Sequence, residues 1–219
     1  QAEVDTHDIT RITVGINPDG FDWELEPGES FQTPEAVMVY SDNGLNEMSQ
    51  TFHKLYAKRL ARGYWRDRSR PILNNNWEAT YFDFNEDKLI NIKIAKKAKE
   101  CGIELFVLDD GWFGNRRSDR AGLGDWIVNK KLLPNGIEGL AERIEELGMQ
   151  FGLWIEPEMI NKDSNLYRQH PDWILQTPGR TDSHGRYQYV LDFSRREIVD
   201  YIYTMIAKIL SEAKISYIK

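Results

Sequence analysis

The sequence predicts an α/β protein in two parts, a short β-rich lead and a larger unit built on a parallel sheet. Three observations carry this expectation. After Pro71, continuous apolar runs of strand length alternate with amphipathic runs of helix length. Before about residue 45, short β-type runs are instead punctuated by Gly, Pro and Asn turn signals. The longest polar loops all follow apolar strands, and that edge of a parallel sheet is where ligands bind.

Taken in order, ITRITVGI, FDWELEPGES and EAVMVYSDNG, separated by NPDG, Pro-Gly and Asn-Gly, read as antiparallel strands. In NEMSQTFHKLYAKRLA, Met48, Phe52, Leu55, Tyr56 and Leu60 recur near 3.6-residue spacing, which predicts a connecting helix over 45–61. The polar run RDRSRP, 66–71, marks a boundary. The expected domains are therefore 1–45, a linker at 46–70, and 71–219. Beyond Pro71, ILNNNWEATYF predicts a strand, NEDKLINIKIAKKAKECG a helix ending at Gly102, and IELFVLDDGW a strand. Helix IEGLAERIEELG and strand MQFGLWIEPEMI come after a long loop. A second loop with HPDW and TPGRTDSHGR leads to strand YQYVLDFS, helix SRREIVDYIYTMIAKILSEAK and strand ISYIK. Right-handed crossovers would make this sheet parallel, either open or closed. A complete (β/α)8 barrel takes about 250 residues, so some 150 residues would supply roughly half of one. The chain begins with Gln and ends on a β-like run without a stop signal, which suggests a fragment.

Composition narrows the function. The 219 residues are 41% hydrophobic, enough for a sizeable core. With 28 basic and 35 acidic residues the formal charge is −7, and no basic face interleaved with aromatics appears, so neither nucleic acid nor an anionic membrane is expected as a partner. No apolar run approaches the roughly 20 residues of a membrane span, and the N-terminus QAEVDTHDIT lacks a signal pattern. A single cysteine, Cys101, fits a reducing cytoplasm and reads as a structural residue at a helix end. Seven Trp and ten Tyr suit a large core, and they also suit carbohydrate, whose C–H faces stack on rings. The four histidines show no metal-ligand spacing, so neither metal nor cofactor is expected. GLGDW lacks the context of a dinucleotide fingerprint, and HPDW fits a turn.

The stretch LFVLDDGWFG holds the main conflict, because two adjacent acids end a buried run although carboxylates resist burial. Gly111 would let the chain turn so that Asp109 and Asp110 both line the sheet edge. The plainer reading is that one acid caps a helix while the other is solvated, with Trp112 and Phe113 as loop packing. In WIEPEMI, Trp154, Glu156 and Glu158 would share a side if the strand continued, though Pro157 should end it. Alternatively Glu156 pairs with Arg116 or Arg117 and Trp154 is core. Trp77 and Glu78 are expected at the end of the first strand, with a core role for Trp77 as the alternative.

Together, RPILNNNWEATYFDF, LFVLDDGWFGNRRSDRAGLGDW, GLWIEPEMI, HPDWILQ and YQYVLDFS closely resemble bacterial α-galactosidases of glycoside hydrolase family 36. INPDGFDWELEPGESFQTPEAVMVYSDNGLNEMSQTFH resembles the end of that family's N-terminal β-supersandwich, so the resemblance spans essentially the whole chain. It implies the end of an antiparallel β-sandwich at 1–45 followed, at 71–219, by the first half of a TIM-type (β/α)8 barrel. It also implies retaining hydrolysis of terminal α-galactosides such as melibiose and raffinose-type sugars, in a parent that is often a homo-oligomer. By the same resemblance, Asp109 and Asp110 bind galactose hydroxyls, Trp154 and Arg186 line the pocket, Lys219 matches the lysine of the family's YIKWD strand, and Trp77 is a further wall. The family's nucleophile is the Asp two residues beyond that lysine, and its acid/base lies farther on, so no catalytic residue is expected here, Glu156 and Glu158 included. A raffinose-synthase-like transglycosylase, an α-N-acetylgalactosaminidase, a non-catalytic sugar-binding module and an unstable half-barrel are the alternatives.

Overall fold

The computed structural model describes residues 1–90, 94–182 and 184–219. The chain divides into two compact units, Gln1–Ser69 and Arg70–Lys219.

In the first unit, β1 (Ala2–Val4) and β2 (Thr10–Ile12) form an antiparallel pair. Helix α1 (Gly44–Leu55) runs into a π-helical turn, Tyr56–Leu60. Met48, Phe52 and Leu55 are its half-buried positions, one face of the helix at i, i+4 and i+7. The runs FDWELEPGES and EAVMVYSDNG form no strands, contrary to the sequence expectation. A β-type run becomes a strand only when a partner supplies the ladder, and residues 21–40 make no ladder among the described residues. Phe21 and Trp23 gather on Phe31 instead, with ring centroids 6.1 and 4.8 Å away.

The second unit holds the core. Strand β3 (Leu73–Asn75) is followed by a single turn, α2 (Trp77–Thr80). The strand thus stops before Trp77, because Asn75 Oδ1 accepts from the Trp77 amide at 3.0 Å and bends the chain out of extension. Helices α3 (Glu86–Ile90) and α4 (Ile94–Glu100) lie within the helical run expected over 85–102, whose residues 91–93 lie outside the described residues. Cys101 is exposed in the turn after α4. Next comes β4 (Leu105–Leu108), every residue of which is buried, as its unbroken apolar sequence requires of an interior parallel strand. Helix α5 (Gly136–Glu146) buries Ile137, Leu140, Ala141 and Ile144 and turns its charges outward. Strand β5 (Gln150–Leu153) lies beside β4.

Here the structure departs from the simple alternation. The WIEPEMI segment leaves the parallel sheet after Leu153, and Met159–Asn161 is a separate strand, β6. Trp154, Glu156 and Glu158 therefore do not alternate along one strand. Helix α6 (Asn165–Gln169) is followed by a 3-10 turn, Pro171–Trp173, at the HPDW motif. Strands β7 (His184–Gly185) and β8 (Gln188–Val190) form a hairpin, and β8 also pairs antiparallel with β6. YQYVLDFS is thus part of a small antiparallel sheet and not a parallel strand. Composition alone cannot make that distinction, since both kinds of strand favour the same residues. Helix α7 (Arg196–Glu212) buries Ile198, Ile202 and Ile209, and β9 (Tyr217–Ile218) returns the chain to the parallel sheet.

The parallel sheet has the order β3-β4-β5-β9, with every neighbour pair parallel. Each strand joins beside its predecessor, so the winding never reverses. Gly152 sits where β4, β5 and β9 crowd. A Cβ there would meet Val107 Cγ2 at 2.9 Å and Tyr217 Cδ1 at 3.1 Å. We expect Gly152→Ala to lower unfolding stability by about 1–3 kcal/mol through overpacking, read as a reduced urea midpoint at constant slope. An unchanged midpoint would show that Val107 and Tyr217 give way freely.

Candidate active site

The C-terminal ends of β3, β4 and β9 supply one polar cluster. Asp109 and Asp110 follow β4 directly and are 4% and 6% exposed. The chain turns directly after them at Gly111, whose φ of +106° and close approach to Phe82 and Phe84, 3.1 and 3.2 Å from where a Cβ would stand, disfavour any side chain.

Buried carboxylates need donors, and each acid has its own set. Asp109 Oδ2 accepts from Asn75 Nδ2, at the end of β3, and from Lys219 Nζ at 2.6 Å, just past β9. Its Oδ1 accepts from the Asp110 amide at 2.8 Å, and its own amide donates to Asn76 Oδ1 at 2.8 Å. Asp110 receives the Arg116 guanidinium in a fork, Nε at 2.9 Å and Nη2 at 2.8 Å. Arg116 is 1% exposed, and its Nη1 donates to Asn161 Oδ1 at 2.8 Å. Burial pushes the Asp110 carboxyl above the usual carboxylate range, Arg116 opposes this, and the Asp109 charge adds to it.

Aromatic side chains form one wall. Trp112 and Phe113 are fully buried, Phe113 lies 4.4 Å from Trp126, and Trp154 stacks on Phe113 at 6.2 Å. Trp112 Nε1 donates to the Trp154 carbonyl at 2.9 Å, tying the loop after β4 to the end of β5. Trp154 itself is half-buried, so its indole both packs and faces outward. Trp77, also half-buried, makes edge contacts with Tyr81 and Phe82 at 5.3 and 5.0 Å.

Arg186 stands at the tip of the β7–β8 hairpin. Both residues of the two-residue turn have left-handed backbone, Arg186 at φ +51° and Tyr187 at +63°, where hairpins favour Asn-Gly. That conformation costs an L residue about 1–2 kcal/mol, so other contacts must hold it. Asn161 Nδ2 donates to the Tyr187 carbonyl at 2.9 Å, and the Arg120 guanidinium lies 4.4 Å over the Tyr187 ring. The Arg186 guanidinium donates to Gln188 Oε1 at 3.2 Å and lies 3.8 Å from Glu156. Burial raises the Glu156 pKa, with Arg186 the largest opposing influence. Glu158 is exposed.

Thus Asp109, Asp110 and Lys219 meet directly. Arg186 approaches through Glu156, whose pKa is also influenced by Asp110 and Arg116, and Trp154 joins through the aromatic wall. Sequence reasoning missed Asn75, Asn76 and Asn161, and it offered Arg116 only as a partner for Glu156. The run of three asparagines closing an apolar strand was a usable signal. Asn161, a single polar residue after Met159 and Ile160, gave none. Asp125, in the GLGDW loop, accepts from the Asn165 and Leu166 amides at 2.9 Å each and so anchors the start of α6. Among the described residues no group of three or more His, Cys, Asp or Glu is placed to hold a metal ion. None of the described helices is long and apolar enough to cross a membrane.

Buried acids held beside cations, amides and an aromatic wall suit a ligand rich in hydroxyls and apolar C–H faces. Comparison with known proteins points the same way. A family profile described as Melibiase matches residues 30–219. The chain is 63% identical to the α-galactosidase AgaA of Geobacillus stearothermophilus and 53% to Mel36A of Lactobacillus acidophilus, over its whole length and 30% of each relative. It superposes on the crystal structure of AgaA with a TM-score of 0.92 at 62% identity, over 99% of this chain and 30% of that one. A variant of AgaA solved with raffinose matches with a TM-score of 0.91 over the same shares. The chain therefore spans about a third of the length of these relatives.

The Asp110–Arg116 pair makes a pH-dependent prediction. Asp110 holds its proton more tightly folded than unfolded, so its contribution to stability is complete below the ordinary carboxylate range and lost as pH rises through the raised pKa. Arg116→Leu should push that pKa higher still. Expected is a loss of about 3–5 kcal/mol near pH 7.5 that shrinks at pH 5, read from urea midpoints. A pH-independent loss would mean that Arg116 does not govern the Asp110 charge.

Proposed function

From its membership of the melibiase family, shown by the profile over residues 30–219, we infer that this chain is the galactose-binding part of a retaining α-galactosidase. The full-length protein would release terminal non-reducing α-D-galactose from raffinose-type oligosaccharides and melibiose. The observation that carries this reading is the meeting of Asp109, Asp110 and Lys219 at the ends of β4 and β9. In it, Asp109 and Asp110 accept hydrogen bonds from sugar hydroxyls while Lys219 and Arg186 donate. Trp154 shapes the apolar wall and Trp77 extends it.

The chemistry belongs to groups outside these residues. Retaining glycosidases use two carboxyl groups about 5–5.5 Å apart, one forming a glycosyl-enzyme and the other shuttling the proton. Asp110 is held in a fork by Arg116 and Asp109 by Lys219, so neither is free to attack. In the resembled family the nucleophile follows this lysine by two residues, and the full-length protein is proposed to supply it there.

The uninterrupted order β3-β4-β5-β9 supports the first half of a (β/α)8 barrel spanning 71–219, since open doubly wound sheets reverse direction at a switch point. The β1–β2 pair is proposed as part of a β-sandwich end over 1–45, joined through 46–70. A cytoplasmic setting is in keeping with the single unpaired Cys101.

In the full-length protein, Asp110→Asn should lower kcat/KM on nitrophenyl α-galactoside by roughly 30- to several-thousand-fold, the equivalent of about 2–5 kcal/mol for a buried charged partner. The α-glucoside should not be cleaved. Full activity in that variant would remove Asp110 from sugar binding, and transfer of galactose to sucrose in preference to water would assign a transglycosylase instead.

A further inference from the structure

Asn161 links the Arg116 guanidinium, the loop after β4 and the Arg186–Tyr187 turn through one side chain. It lies at the end of β6, is fully buried, and uses all the hydrogen-bonding capacity of its carboxamide. Oδ1 accepts from Arg116 Nη1 at 2.8 Å and from the Leu123 amide at 2.9 Å. Nδ2 donates to the Asp119 carbonyl at 3.1 Å and to the Tyr187 carbonyl at 2.9 Å. Its backbone carbonyl accepts from Ser164 Oγ at 2.7 Å. The orientation of the amide is fixed by its surroundings, because turning it over would set a carbonyl against two carbonyls and an NH2 against two donors.

These contacts reach three stretches of chain. Arg116 leads to Asp110, residues 119–123 close the loop after β4, and the Tyr187 carbonyl belongs to the turn that carries Arg186. Among the described residues no secondary-structure ladder joins Asp110 to that turn. We propose that Asn161 is a positioning residue, a buried carboxamide that fixes Arg116 on Asp110 and pins the left-handed Arg186–Tyr187 turn, so that acid and cation face the ligand in one register. Its kinetic consequence rests on the galactoside-binding reading above, whereas its mechanical consequence does not.

Asn161→Asp separates the two halves of the role. The aspartate keeps an acceptor for Arg116 and Leu123 but presents oxygen to the Tyr187 and Asp119 carbonyls. In this chain, limited trypsinolysis followed by mass spectrometry should show cleavage after Arg186 rising about ten-fold or more, since cleavage tracks the population of the opened turn. Cleavage after Arg143 and Arg168 should stay unchanged. A uniform rise at all three sites, or none after Arg186, would overturn the proposal.

In the full-length protein, the loss of kcat/KM caused by Asn161→Asp should fall below about two-fold once Arg186→Ala is present, as expected when two residues act through one unit. An undiminished loss in that background would make Asn161 a general brace and overturn the positioning role. Absence of α-galactosidase activity in the unmodified full-length protein would refute the functional reading alone, and trypsinolysis would still decide the present one. Should Asn161→Asp fail to fold, hydrogen exchange of the unmodified chain decides: the Leu123 amide and the β6–β8 ladder should open together, and independent opening would overturn the proposal.

Discussion

Two carboxylates buried side by side at the end of β4 impose the main constraint on the second unit. Neither can stay there without donors, and the donors cannot come from one neighbour. Asn75 arrives from β3, Lys219 from beyond β9 and Arg116 from the loop after β4. The strand order is what brings the first two to the acids. The loop's path is what brings the third, and Asn161 and the tight turn at Gly111 follow from it.

The scaffold and the site were legible to different degrees. Continuous burial of Leu105–Leu108 and the 3.6-residue spacing of Ile137, Leu140, Ala141 and Ile144 were readable because each depends on local pattern and solvent alone. The placing of two acids at the strand end could be foreseen from the abrupt change at Asp109. The antiparallel sheet of β6, β7 and β8 was not foreseeable, since YQYV has a composition suited to either kind of strand and its partner lies across a long loop. Arg116 and Arg117 are adjacent and chemically alike in sequence. Only the folded loop separates the one that is buried on Asp110 from its neighbour. The β-type runs of the first unit show the opposite failure, where local pattern promised strands and no partner completed them.

Rigid and irregular elements divide the work. Strand ends hold Asp109, Asp110, Asn75 and Lys219 on a hydrogen-bonded frame, which fixes their spacing closely. Arg186 and Trp154 sit on irregular backbone beyond that frame and owe their placement to side-chain ties. The Trp112 indole binding the Trp154 carbonyl and the Asn161 amide binding the Tyr187 carbonyl do the same job in apolar and polar settings respectively. Aromatic packing excludes water on one flank, and this strengthens the ion pairs on the other by lowering the local dielectric.

Lys219 meets Asp109 at a sequence separation of 110. On the ribosome the acid therefore exists long before its cation. At about 5–20 residues per second, the interval between their synthesis is roughly 5–20 s, far longer than helices and hairpins take to form. During that time β3, β4 and β5 can assemble with Asp109 lacking its ammonium partner, and water must solvate the carboxylate until β9 emerges. The vectorial order of translation thus makes the edge at Asp109 the last part of this sheet to settle, and gives the nascent chain a period in which its most polar corner is also its least compensated.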